Sequence, residues 1–160
     1  MTHGSAGKIR SLEAAAAWRE AQPGIVVFTN GVFDLVHPGH IALLEAARHA
    51  GDALIVGINS DNSARRLAKG PGRPIVPELA RARVLAAFEA VDCVVIFDAD
   101  TPIALIQLLE PDVLVKGGDY SHATTVGADI VEARGGRVHH IELEPGFSTT
   151  AIVERLRASY

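Results

Sequence analysis

The sequence predicts an α/β protein with a doubly wound parallel sheet of five strands and helices on both faces of the sheet. Short apolar runs, such as the uncharged ALIVGIN of residues 53–59, alternate along the chain with segments of helical periodicity. Uncharged runs suit strands that are covered on both faces, and the alternation implies right-handed βαβ crossovers. In such a sheet, ligands bind beyond the carboxyl ends of the strands, where the strand order reverses.

Local signals place the elements in order along one domain of residues 1–160. Residues 1–8 are predicted to be a disordered lead, and residues 11–22 a first helix capped by Ser11. The five strands are predicted at 25–28, 53–59, 91–97, 113–115 and 138–141. Further helices are predicted at 38–50, after Asp61, at 78–90, at 101–109 and at 149–158. Thr101 is expected to cap the helix over 101–109, with Pro102 in its first position.

Composition excludes several classes of protein. The chain of 160 residues has a net charge of -4, which argues against a general nucleic-acid binder because that role requires a basic face. No apolar run approaches the roughly 18 residues that span a bilayer, so no membrane segment is expected. Cys93 is the only cysteine, which rules out an internal disulfide and fits a reducing cytoplasm.

The stretch from 25 to 40, IVVFTNGVFDLVHPGH, joins a buried strand to a helix. Unpaired N–H groups and the helix dipole make such a helix start an anion site, and Pro38 suits its first turn. Gly39 would let a ligand approach the backbone, while His37 and His40, three residues apart, can donate to phosphate oxygens. The histidines could instead be caps or surface residues. Half of a zinc site is a weaker alternative, because Cys93 lies on a predicted buried strand.

A run of cations follows the second strand. Arg65, Arg66, Lys69 and Arg73 fall between Asp61 and Glu78, with no acidic residue among them. An isolated arginine pair would indicate a solvated helix face. Here the run continues into GPGRP, a turn-rich sequence typical of a mobile loop that carries cations over an anionic ligand.

Two further motifs follow the predicted strand at 113–115 and precede the last helix. In VLVKGGDY, Lys116 could meet a phosphate, Gly117 and Gly118 could lie against a planar base, and Asp119 could accept from ribose hydroxyls. A plain β-turn is the simpler interpretation of this motif. In GFSTT, residues 146–150, the hydroxyl residues are either ordinary caps or a grip for a triphosphate at a second helix start.

Together these motifs resemble a known family. TNGVFDLVHPGH and GFSTTAIVERL are similar to the two signatures of the HxGH nucleotidyltransferases, the cytidylyltransferase-like superfamily, and the family order covers residues 24–158. NSDNSARRLAKGPGRPI, AVDCVVIFDADTP and PDVLVKGGDY most resemble the D-glycero-D-manno-heptose 1-phosphate adenylyltransferases. That branch makes ADP-heptose for bacterial lipopolysaccharide, often fused behind a sugar kinase. Only one helix precedes the motifs here, so the stand-alone form is expected.

The resemblance implies a Rossmann-like cytoplasmic homodimer that uses ATP and a sugar 1-phosphate, with Mg²⁺ held by the ATP phosphates and no dedicated carboxylate cage. It implies catalytic roles for His37, His40 and Lys69. The implied nucleotide-binding residues are Val32, Phe33, Gly39, Lys116, Gly117, Asp119, Phe147, Ser148, Thr149 and Thr150. The expected substrate-binding residues are Asn30, Asp61, Arg66 and Arg73. Asp34 lies inside the turn and is expected to have a structural role.

One departure from the relatives bears on the substrate. Glycerol-3-phosphate cytidylyltransferases carry an arginine just ahead of the glycine of the second signature, whereas this chain has LEPG at 143–146. That difference weakens the glycerol interpretation and leaves Lys69, Lys116 or Arg155 to supply the charge. A cytidylyltransferase for glycerol 3-phosphate or ethanolamine phosphate remains an alternative, because the preference for adenine rests on the resemblance alone. A catalytically idle nucleotide-binding module is the alternative of another class.

Overall fold

The computed structural model describes residues 4–67, 70–118, 122–143 and 145–160. Within these ranges one sheet contains β1 (Ile9–Arg10), β2 (Val26–Gly31), β3 (Ala53–Asn59), β4 (Cys93–Phe97), β5 (Val113–Gly117) and β6 (Arg137–Ile141). The strand order is β1-β4-β3-β2-β5-β6, and all neighbouring strands are parallel. The order reverses between β2 and β5, so the carboxyl ends of these two strands flank the switch point at which doubly wound sheets bind ligands.

Helices cover both faces of this sheet. They are α1 (Leu12–Glu20), α2 (Pro38–His49), α3 (Asp61–Arg66), α4 (Glu78–Ala86), α5 (Ile103–Leu109), α6 (Ala128–Ala133) and α7 (Thr149–Ala158). Apolar residues of α2 and α4 share one core cluster with alternate strand residues, and we call this side of the sheet the α2 face. Apolar residues of α1, α5 and α6 share the other cluster, and we call that side the α5 face. All seven residues of β3 are buried because both of its faces are covered.

The doubly wound parallel architecture is confirmed, but the prediction of five strands is wrong by one. The additional strand β1 contains only two residues and pairs with Val94 and Val95 at the edge of the sheet. A strand this short has no periodicity to detect, and it forms because the edge of β4 offers backbone partners. Residues 1–8 were predicted to be disordered, but Ser5–Lys8 form a 3-10 helix just before β1. Lys8 Nζ holds this helix to the rest of the fold by donating to Phe88 O at 3.0 Å.

Several helix boundaries differ from the predictions. Helix α4 ends at Ala86 rather than at residue 90, and α6 was not predicted. Helix α5 begins at Ile103 and has no side-chain cap, so the predicted Thr101 cap is wrong. Strand β2 continues through Gly31 because each residue from Val26 onward has a partner on β3. Among the described residues, no helix combines the length and apolar character needed to span a bilayer.

Candidate active site

The segment between β2 and α2 is a tight turn held by Asp34. Phe33 and Leu35 adopt positive φ angles of 53° and 48° on either side of it. The Asp34 carboxylate accepts from Ile75 N at 2.8 Å, Val76 N at 2.9 Å and Arg73 Nε at 2.9 Å. Burial alone would raise the pKa of Asp34, but these three donors outweigh it and lower the pKa. The structural role expected for Asp34 is therefore confirmed.

Two histidines cap the start of α2 reciprocally. His37 Nδ1 accepts from Gly39 N at 3.1 Å, and His40 Nδ1 accepts from His37 N at 3.3 Å. Their rings stack with centroids 3.8 Å apart and an angle of 27° between the planes. Phe33 supports the pair, because its ring lies 5.2 Å from the ring of His40. The capping role, which was the alternative interpretation of these histidines, is thus present, and it brings the two imidazoles together.

The caps determine which ring nitrogen carries the proton. Because each Nδ1 accepts a backbone N–H, the neutral ring holds its hydrogen on Nε2. Burial lowers the pKa of His37, which favours the neutral form. Two positive charges about 4 Å apart would also repel by about 4 kcal/mol at an effective dielectric constant near 20. With each Nδ1 accepting in the cap, the donor of each ring is its Nε2–H, a group suited to phosphate oxygens.

The last motif packs against the first. Thr149 Oγ1 donates to Asp34 O at 2.7 Å, and Ser148 caps α7 by accepting from Ala151 N at 3.0 Å. A Cβ added to Gly39 would lie 2.9 Å from His37 Cε1 and 3.7 Å from Phe147 Cβ. A side chain at position 39 would therefore push against the His37 ring, which gives a second reason for glycine beside the expected close approach of a ligand. The starts of α2 and α7 are therefore neighbours, and both helix dipoles direct positive potential to this place.

The carboxyl ends of β2 and β5 add a third component. Lys116 Nζ donates to Asn30 Oδ1 across the switch point. Desolvation lowers the pKa of Lys116 to about 8. A Cβ on Gly117 would lie 2.9 Å from Leu143 Cδ2, so a larger residue would have to move the Leu143 side chain. Asp119, which was predicted to accept from ribose hydroxyls, lies outside the described residues.

The sequence predicts that the cations between Asp61 and Glu78 lie over an anionic ligand, but the described arginines Arg66 and Arg73 bind acidic residues of the chain. Arg66 pairs with Asp100 Oδ1 at 2.6 Å and donates to Asp98 O, and Arg73 pairs with Asp34. Both arginines thus have acidic partners in the chain, and their contact with a substrate stays a prediction. Lys69 lies outside the described residues. Val32, Phe33 and Thr149 lie at the site, while Thr150 is exposed on α7.

One positioning residue was missed by the sequence interpretation. Arg81 on α4 is 1% exposed and donates to Val32 O at 2.7 Å, Asn59 O at 2.9 Å and Val76 O at 2.8 Å. It also pairs with Asp61 Oδ1 at 2.7 Å, so Asp61 has a structural partner beside its expected substrate role. Through these four hydrogen bonds, the Arg81 guanidinium joins the chain at the ends of β2 and β3 to the start of α4. The only signal in the sequence is that Arg81 lies one turn before Leu85, on the buried side of α4.

The described residues contain no group of three or more His, Cys, Asp or Glu that could hold a metal ion.

The chain is 58% identical over 146 residues to the Bifunctional protein HldE of Acidiphilium cryptum, covering 91% of this chain and 30% of that protein. It is 60% identical over 139 residues to the protein of the same name from Hyphomonas neptunium, covering 86% of this chain and 28% of that one. The chain thus spans less than a third of the length of these curated relatives.

A solved structure is also similar. The lipopolysaccharide core biosynthesis protein from Thermoplasma volcanium GSS1 superposes with a TM-score of 0.61 at 26% identity, covering 76% of this chain and 97% of that one. The family model described as Cytidylyltransferase-like matches residues 28–155, from β2 into α7, and so includes both helix starts of the site. The chain belongs to the cytidylyltransferase-like family.

Proposed function

We propose that the chain is an adenylyltransferase that transfers AMP from ATP to D-glycero-D-manno-heptose 1-phosphate, giving ADP-heptose and pyrophosphate for lipopolysaccharide core synthesis. The observation that carries this proposal is the stacked pair His37 and His40, whose tautomers are set by the cap of α2. The choice of adenine and heptose rests on the resemblance of the sequence and on relatives that are 52–60% identical.

The reaction is a single displacement at the α-phosphorus. An oxygen of the acceptor phosphate forms the new P–O bond, and the bond to the bridging oxygen of the β-phosphate breaks. Pyrophosphate leaves with the electron pair, and because the attacking phosphate is already an anion, no proton has to be removed. The protein therefore needs donors and alignment rather than a general base.

The chain supplies those donors at the two helix starts. Nε2–H groups of His37 and His40 would bind oxygens of the α- and β-phosphates, where charge grows during transfer. We propose that the N–H groups at the start of α7 and the hydroxyl of Ser148 also bind the triphosphate, because the residue before Ser148, Phe147, lies beside Gly39. Lys69, which lies outside the described residues, is proposed to reach the same triphosphate from its loop.

Magnesium enters this proposal as part of the MgATP substrate. The donor set of the described residues does not fit a dedicated cage, because no cluster of three carboxylate, histidine or cysteine ligands is present among them. Bound to the phosphates, the ion would neutralise part of their charge. Orientation of the α-phosphate remains the task of the histidines and the helix starts.

The test is pyrophosphate release from the purified chain with each pairing of ATP or CTP with heptose 1-phosphate, glycerol 3-phosphate or ethanolamine phosphate. We expect release only with ATP and the heptose 1-phosphate. Release with CTP and a phospho-alcohol would identify a cytidylyltransferase instead. Tight ATP binding without release from any pairing would identify a catalytically idle module.

A further inference from the structure

A row of polar side chains crosses three neighbouring strands at the carboxyl edge of the sheet. Asn30 is the next-to-last residue of β2, Lys116 is the next-to-last residue of β5, and His140 on β6 is the Cα partner of Lys116. The residues two positions earlier on the three strands all pack into the core of the α5 face; these are Phe28, Leu114 and Val138. Because side chains alternate along a strand, the polar row lies on the α5 face as well.

The members of the row are held in place by hydrogen bonds. Lys116 Nζ donates to Asn30 Oδ1, and His140 Nε2 lies 2.7 Å from Thr125 Oγ1. Thr125 belongs to the turn before α6 and is 7% exposed, so the row is supported from the helical layer as well as from the sheet. We call these four residues, Asn30, Lys116, His140 and Thr125, the α5-face row.

The row carries a positive charge that the described chain does not neutralise. Within the described residues no carboxylate forms an ion pair with Lys116, and desolvation lowers its pKa to about 8. An ammonium withdrawn from water beside an amide oxygen has lost solvation without gaining a counter-charge. An anionic ligand would supply that charge.

The position of the row relative to the histidines indicates which ligand this is. His37 and His40 begin α2, whose apolar residues pack on the α2 face, so the histidines and the row flank the switch point from opposite faces. In-line transfer requires the attacking oxygen and the departing pyrophosphate to lie on opposite sides of the α-phosphorus. A triphosphate held at the helix starts would therefore present its α-phosphorus to an acceptor held by the row.

We propose that the α5-face row is the acceptor site, an inference that rests on the proposed function. Lys116 binds the phosphate of the sugar phosphate. Asn30 and the His140–Thr125 pair bind hydroxyls of the sugar. Ammonium donors match phosphate oxygens, and amide, imidazole and hydroxyl groups both donate to and accept from sugar hydroxyls. His140 and Thr125 thereby become specificity residues of the reaction.

The experiment compares steady-state kinetics of His140→Ala, His140→Gln and Lys116→Met with the parent chain, using ATP and D-glycero-D-manno-heptose 1-phosphate. His139→Ala is the matched control, because His139 is the exposed neighbour of His140 on the other face of β6. We expect His140→Ala to raise the KM for the sugar phosphate by about tenfold, the effect of one or two lost hydrogen bonds, with the KM for ATP within about twofold. His140→Gln should recover part of this loss, and the control should match the parent.

Inorganic phosphate separates the two roles within the row. It should inhibit the parent and His140→Ala competitively with the sugar phosphate, and Lys116→Met should lose most of this inhibition. Equal KM values for the sugar phosphate in His140→Ala and the parent would overturn the assignment of the row while leaving the proposed function intact.

Direct titration of the sugar 1-phosphate by calorimetry distinguishes the two proposals if the parent chain shows no turnover. Binding that is weakened by His140→Ala would then support the row and refute the proposed transfer reaction. Absence of sugar-phosphate binding to the parent would refute both.

Discussion

The role of His40 can be tested by separating its two ring nitrogens. Nδ1 accepts from His37 N at 3.3 Å and belongs to the cap, whereas Nε2–H is the proposed donor to phosphate. An asparagine side chain reaches about as far as Nδ1, and a glutamine side chain about as far as Nε2. His40→Asn therefore keeps an acceptor for the cap and removes the distal donor, while His40→Gln does the reverse.

The expected sizes of the two effects follow from typical values for a phosphate donor and for a helix cap. Loss of one preorganised donor to a developing oxyanion costs about 10² to 10³ in turnover, or roughly 3 to 4 kcal/mol. Loss of a helix cap costs about 1 kcal/mol of unfolding free energy. We therefore expect His40→Asn and His40→Ala to lose about 10² to 10³ in kcat with little change in stability for the asparagine variant. His40→Gln should retain more activity than either and should be less stable than the asparagine variant.

The assay is pyrophosphate release at saturating ATP and sugar phosphate, combined with urea unfolding of each variant. His49→Ala is the control, because His49 lies in the exposed last turn of the same helix. A His40→Asn variant with turnover within about twofold of the parent would remove Nε2 from the chemistry. Equal losses in the asparagine and glutamine variants would show that the cap and the donor are not separable in this way.

Three further predictions follow from the buried charges. The Lys116 ammonium, with a pKa of about 8, loses its proton as the pH rises, so the KM for the sugar phosphate should increase about tenfold between pH 7 and pH 9. Lys116→Arg should abolish this dependence, and a flat profile in the parent would contradict the assignment. The pKa of His37 is lower in the folded chain than in the unfolded one, so the unfolded state binds more protons below about pH 6.5. Stability should therefore fall as the pH falls through that value, and urea unfolding should show a smaller fall in His37→Asn. Asp34→Asn leaves the guanidinium of Arg73, whose side chain is 9% exposed, without its carboxylate and should cost about 3 to 5 kcal/mol. A loss in urea unfolding below about 1 kcal/mol would show that the pair does not hold the turn.

Much of the fold was predictable because its signals are local. The uncharged run of β3 and the change from strand to helical spacing between β2 and α2 both appear within about a dozen residues. Strand β1 and helix α6 escaped prediction because two and six residues are too few for a period to be detected. These elements are stabilised by tertiary contacts, since β1 pairs with the edge of β4 and α6 packs on the α5 face.

In the candidate site, too, the residues with local sequence signals were predicted and those that depend on long-range contacts were not. The histidines, Gly39 and the start of α7 were predicted from motifs, and the structural role of Asp34 was predicted from its position in the turn. Arg81 was missed because two of its hydrogen-bond acceptors, Val32 O and Asn59 O, lie 49 and 22 positions away in the sequence. The pairing of Arg73 with Asp34, 39 positions apart, likewise required the folded chain.

Transfer of label from ATP that is radioactive at the α-phosphorus would show directly whether the chain transfers AMP and whether His40 takes part. With D-glycero-D-manno-heptose 1-phosphate as acceptor, we expect the label to appear in a nucleotide sugar and the pyrophosphate to be unlabelled. We also expect His40→Asn to form the product at least about 10² times more slowly. Label that stays in ATP under these conditions, or a labelled product that His40→Asn forms at the rate of the parent, would contradict these expectations.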